Sequence, residues 1–144
     1  MTDSPAATVQ IETTLEQAAA IRSALDLFTR VGLGQLEEIA GLARLGLLHG
    51  RAGDSPADLS LNALNQLEAL MKDAKNVLGH PANGSFGVGA KINPEFHRAY
   101  EVLKVLDQAI TLHRNPADRS VRSDGLGPRY TQDPEPKAQV VSAN

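Results

Sequence analysis

The chain has 144 residues, enough for one domain, and its 42% apolar and 22% charged content is ordinary for a globular fold. The absence of cysteine excludes disulfides, thiolate zinc sites and cysteine nucleophiles, and a net charge of −3 argues against a dedicated binder of nucleic-acid polymers. No run approaches the roughly 18 apolar residues of a membrane span, and Met1-Thr2-Asp3-Ser4-Pro5 lacks the basic start and apolar core of a secretion signal, so the expected address is the cytoplasm.

Residues 1–8 lack any period and are expected to be disordered. Val9-Gln10-Ile11-Glu12 alternates apolar and polar like a short edge strand. Thr13 and Glu16 have the spacing of a capping box, where hydroxyl and carboxylate satisfy free N–H groups at a helix start. From there Ile21, Leu25, Phe28, Gly32, Gln35, Ile39 and Leu42 fall on one face, which predicts a helix over 14–46. Gly32 and Gly34 interrupt it, each costing about 1 kcal/mol against alanine, so a break into two helices is the alternative. The missing Cβ of Gly32 invites close approach by another helix or a ligand.

His49 to Pro56 reads as a turn-rich loop. A second helix over 58–78 carries Leu64, Leu67, Leu70, Met71, Ala74, Val77 and Leu78, with Gly79 placed to end it. A third opens with Asn93 as cap and Pro94 in the first turn, shows Phe96, Tyr100, Leu103, Leu106 and Ile110 as its stripe, and stops at Asn115-Pro116. Residues 117–132 hold the turn signals Asp124-Gly125 and Gly127-Pro128, flanked by segments able to pair with Val9–Glu12. The reading is mainly α: three principal helices in a small bundle, with a short β element joining the termini. Residues 9–132 form the single domain and 133–144 a disordered tail. With five aromatics, leucine and alanine must supply most of its core. Limited burial in such a bundle implies a homo-oligomer, a dimer with the first helix at the interface near Gly32.

No catalytic constellation is visible. His49, His80, His97 and His113 have no metal-ligand spacing, Ser85 is not in a nucleophile elbow, and Glu37-Glu38 reads as a solvated helix face. Neither a cofactor nor an enzymatic activity is expected. The segment 79–91 is the informative one, with four glycines in Gly79-His80-Pro81-Ala82-Asn83-Gly84-Ser85-Phe86-Gly87-Val88-Gly89-Ala90-Lys91. Its backbone N–H groups, over Asn83, Gly84, Ser85 and Gly87, suit an anion nest ahead of a helix N-terminus. Phe86 offers a stacking face and Lys91 a charge. Alternatively, Asn83-Gly84 is a plain turn with Phe86 anchored in the core. Arg30, beside Gly32, and Arg114, at the end of the third helix, are further phosphate ligands; Arg119 and Arg122 are weaker candidates. Residues 1–50 hold three basic groups against six acids, whereas 97–132 hold six against four, a local excess fitting a phosphate or an acidic patch.

Leu25-Asp26-Leu27-Phe28-Thr29-Arg30-Val31-Gly32-Leu33-Gly34-Gln35-Leu36-Glu37-Glu38 resembles a segment of small phage- and prophage-encoded accessory proteins that have no assigned activity. In those a long helix carries a similar aromatic-x-Arg-x-Gly-x-Gly-Gln run. Counterparts of Asn83–Val88 and Ala99–Val105 follow in the same order, so the likeness spans residues 12–115. It implies a protein acting in the host cytoplasm against host defence, by sequestering a nucleotide signal or by binding a host protein. The expected partner is thus a small phosphorylated ligand; the alternative is a protein effector that inhibits or scaffolds a host protein through its helical surface.

Overall fold

Four helices and one two-stranded antiparallel sheet form among the residues described, 7–121 and 127–142, of the structure, a computed structural model. Helix α1 (Leu15–Gly32) is started one residue later than the sequence suggests. Thr14 Oγ1 accepts from Gln17 N at 3.1 Å, and Gln17 Oε1 accepts from Thr14 N at 2.9 Å. The capping box is therefore Thr14/Gln17, not Thr13/Glu16. Residues 1–6 of the start expected to be disordered (1–8) lie outside the described residues, as do Arg122 and the expected turn at Asp124-Gly125.

The single helix over 14–46 is not formed. Chain geometry stops α1 at Gly32, and α2 (Glu37–Arg44) follows after four residues. The cause is Gly34, whose φ of +92° only glycine adopts without strain. Gly34 N donates to Val31 O at 3.0 Å and Gln35 N to Arg30 O at 2.9 Å, the paired bonds of a Schellman ending. The same pair closes α2, through Gly46 to Ala43 and Leu47 to Leu42, and α3 (Leu61–Val77), through Gly79 to Asn76 and His80 to Lys75. Gly79 thus ends its helix as expected. Helix α4 (Pro94–Arg114) has the expected cap, with Asn93 Oδ1 accepting from Glu95 N at 2.9 Å.

The sheet is not where the sequence suggested. Val9–Glu12 is extended and exposed, and strands β1 (Gly50–Ala52) and β2 (Ser55–Ala57) form a hairpin in the segment read as loop. Gly53, with φ +61°, occupies the first central position of its two-residue turn, which is where a type II′ hairpin needs glycine.

Helices pack as two antiparallel pairs. On α1 and α4, Phe28 meets Phe96 with ring centroids 4.7 Å apart, and Arg22 pairs with Asp107 at 3.2 Å. On α2 and α3, Glu37 pairs with Lys75 and Arg44 with Glu68. A Cβ on Gly32 would overlap the Phe96 ring, so the close approach foreseen there is made by α4 of the same chain. Among the described residues the buried apolar ones are few, and four of the seven are alanine: Ala18, Leu33, Ala40, Ala43, Ala99, Val105 and Ile110.

Candidate functional site

Residues 79–93 run from the end of α3 to the start of α4 and cross the α1–α2 junction on the way. The His80 ring covers Gly34, where any Cβ would collide with it. Phe86 N donates to Leu33 O at 2.9 Å, and Gln35 Nε2 reaches Ser85 Oγ at 3.4 Å. Phe86 sets its ring edge-on to His80, centroids 4.7 Å apart, and remains 51% exposed. It is neither the core anchor nor a free side chain. It is an aromatic surface on a fixed backbone.

The anion nest is not assembled. A nest alternates right- and left-handed backbone, yet Gly84, Gly87 and Gly89 all avoid positive φ. Gly84 N and Ala90 N are already donated to Pro81 O and Gly87 O. Gly84 is required for space instead, since a Cβ there would lie 2.5 Å from the Pro81 ring. Asn83 and Ser85 are exposed, as is Lys91, which makes no ion pair among the described residues.

Arg114 does not join this loop, and Arg30 reaches it only through Gln35, which bonds both Arg30 and Ser85. Arg30 Nε is held by the Asp26 carboxylate at 3.0 Å, and its Nη1 donates to Gln35 Oε1 at 3.0 Å and lies 3.6 Å from Glu38. A guanidinium surrounded by two carboxylates is already neutralised. Arg114 ends a helix of 21 residues, which at about 1.5 Å each places it about 30 Å from Pro94. Within one chain the structure therefore brings together Asn83, Gly84, Ser85, Phe86 and Gly87, with Lys91 following and Arg30 linked to Ser85 through Gln35, and leaves Arg114 out.

Two charged groups escaped the sequence reading. Glu101 on α4 is 4% exposed and accepts from Arg129 Nε at 2.8 Å, Tyr130 N at 3.1 Å, Thr131 N at 2.9 Å and Thr131 Oγ1 at 3.1 Å. Burial alone would raise its carboxyl, but the bonds from Arg129, Thr131 and the backbone outweigh burial and hold it below the usual carboxylate range. It clamps residues 129–131 onto α4, beside an Arg98–Asp133 pair at 2.8 Å. Tyr130 stacks on His97 with centroids 5.2 Å apart, and His97 Nε2 donates to Val88 O at 2.8 Å, tying the glycine loop to the same clamp.

Lys75 is the second, wholly buried at 0% exposure. Its Nζ donates to Glu37 Oε1 at 3.0 Å and sits 2.8 Å from Oε2, where the angle permits no hydrogen bond. Glu37 is thus an internal partner rather than a solvated face. Burial opposes its ionisation, and the Lys75 hydrogen bond and charge more than offset that, lowering its pKa.

At the opposite end of α2, Leu45, Leu47 and Leu48 are all exposed. Leu45 and Leu48, but not Leu47, line an open groove of about 320 Å³ together with Ala43, His49, Leu59 and Leu64. Among the described residues no three His, Asp or Glu side chains gather as a metal site, and no helix is long and apolar enough to cross a membrane. The chain matches no family model, and no curated protein or solved structure is significantly similar to it.

Proposed function

We propose that the protein is a non-enzymatic binding protein that engages another protein through the apolar corner after α2. The observation that carries this reading is the solvent exposure of Leu45, Leu47 and Leu48 within one four-residue stretch beside an open groove. Contiguous exposed leucines at the rim of a groove are the mark of a partner surface, where single scattered ones are not. The likeness to phage accessory proteins makes a host protein the partner class, and interference with host defence the role that fits. The test compares wild type with a Leu45→Asp, Leu48→Asp double variant as baits in host lysate, with folding checked by circular dichroism. A host protein retained by wild type and lost by the folded variant is expected. Equal retention by both contradicts the assignment.

A second reading, capture of a small phosphorylated ligand such as a nucleotide signal, is favoured by one observation: Phe86 is presented, half-exposed, from a fixed backbone with Ser85 beside it and an exposed Lys91 following. Calorimetry against nucleotides and cyclic nucleotides separates the readings. If this site operates, Lys91→Ala weakens binding about ten- to a hundredfold without affecting stability. Absence of heat with every nucleotide, together with no small molecule released from the purified protein, removes it.

A further inference from the structure

The glycine loop is fastened in two places by different parts of the chain. Its first half rests on the α1–α2 junction, through His80 over Gly34, Phe86 N to Leu33 O and Gln35 to Ser85. Its second half, residues 88–92, is held by α4 and by the segment after it. Val88 O accepts from His97 Nε2, and a Cβ on Gly89 would sit 3.7 Å from Cε1 of Tyr130. The Tyr130 ring is therefore an intermediary, in contact with the loop on one side and stacked on His97 of α4 on another. What keeps it there is one carboxylate. Glu101 lies four residues after His97, on the same face of α4, and both are buried. Its two oxygens accept four hydrogen bonds, from Arg129 Nε, Tyr130 N, Thr131 N and Thr131 Oγ1. Residues 127–133 form no helix or strand of their own, so these bonds fix their position.

We infer that residues 129–131 are a latch on the second half of the glycine loop, so that release of this strap and loosening of residues 88–92 are one event. Glu101 is the pin of the latch, and the Tyr130 ring carries its effect to the loop. Charge-assisted bonds converging on one buried carboxylate reinforce one another, so losing the charge weakens all of them together. Helix α4 keeps its own backbone ladder, and the first half of the loop keeps its anchors on Leu33 and Gln35. The opening is thus local, of the kind that costs less than global unfolding. Its consequence is selective. Lys91 lies in the part that the latch governs, whereas Phe86 lies in the part that it does not. Opening the latch frees the charged side chain while the aromatic surface stays in place. By linkage, a ligand that orders residues 88–92 must also tighten the strap. The device is a property of the loop and is the same whichever partner class the protein engages.

Amide hydrogen exchange of the full chain, resolved by NMR, tests this. The reporters are hydrogen-bonded amides: Ala90 N and Ile92 N in the second half of the loop, Tyr130 N and Thr131 N in the strap. Phe86 N, bonded to Leu33 O, is the internal control. In Glu101→Gln the four reporters should exchange about tenfold faster or more, while Phe86 N keeps its wild-type rate. Tyr130→Ala separates the latch from a general loss of packing, because it removes only the ring and keeps every bond to Glu101. There Thr131 N should stay protected while Ala90 N and Ile92 N speed up. Unchanged exchange at Ala90 and Ile92 in either variant overturns the proposal. So does acceleration of Phe86 N along with the reporters, which would make Glu101 a support of the whole fold rather than a pin.

Discussion

Glu101 and Lys75 are both charged side chains that the fold takes out of water, and their surroundings predict different sensitivities. Glu101 is fully hydrogen-bonded, and its pKa is lowered on folding. A carboxyl with a depressed folded pKa stabilises above its unfolded value, near 4.3, and that contribution is lost as pH falls through the folded value. Residues 127–133 should accordingly become sensitive to proteolysis on acidification below that range. Glu101→Gln should show the sensitivity already at neutral pH, at a cost of about 1–3 kcal/mol. Acid-resistant protection of this segment contradicts the clamp. For the other pair, Glu37→Gln strands a wholly buried ammonium and should cost about 3 kcal/mol, whereas Lys75→Met leaves a carboxylate that water can reach and should cost about 1 kcal/mol. Urea unfolding of both variants checks the order; equal losses would mean that the buried charge is not the issue.

At the scale of elements, the helix ends follow one local rule that the periodicity of the sequence concealed. Leu33-Gly34, Leu45-Gly46 and Leu78-Gly79 each place leucine at the C-cap and a positive-φ glycine after it. The rule was legible at Gly79, where the apolar pattern also stopped. At Gly34 the break stood only as the alternative, because Gln35, Ile39 and Leu42 continue the stripe on its far side. Gly34 should tolerate alanine worst, since it combines a left-handed backbone with the His80 ring; Gly34→Ala should cost about 2 kcal/mol or more. Gly46→Ala, with the same backbone sign and open space around it, should cost about 1 kcal/mol. Similar midpoints for the two variants in urea would remove the loop-docking account of Gly34. The third and fourth helices and their caps were readable because proline, asparagine and glycine mark both ends. The hairpin was not, because Gly50–Ala57 has no alternating apolar residues to announce strands. As for the candidate site, Phe86 and Lys91 were found by residue type, whereas the indirect place of Arg30 and the distance of Arg114 depend on side-chain pairing and on the length of α4, neither of which motif spacing encodes.

Across the whole molecule, two antiparallel helix pairs are joined by the short α1–α2 junction, over which the glycine loop is laid. The buried apolar residues described are mostly alanine, while Leu45, Leu47, Leu61, Leu70, Val77 and Leu78 stay exposed on the α2–α3 half. We propose that a chain with this distribution gains its remaining burial from further copies of itself, as the expected homo-oligomer, and that is the central claim. Association that involves only the folded state raises the unfolding temperature with protein concentration. Thermal unfolding of the full chain at about 1, 10 and 100 µM is therefore the direct measurement. The midpoint should rise steadily across the series. A midpoint independent of concentration contradicts the claim.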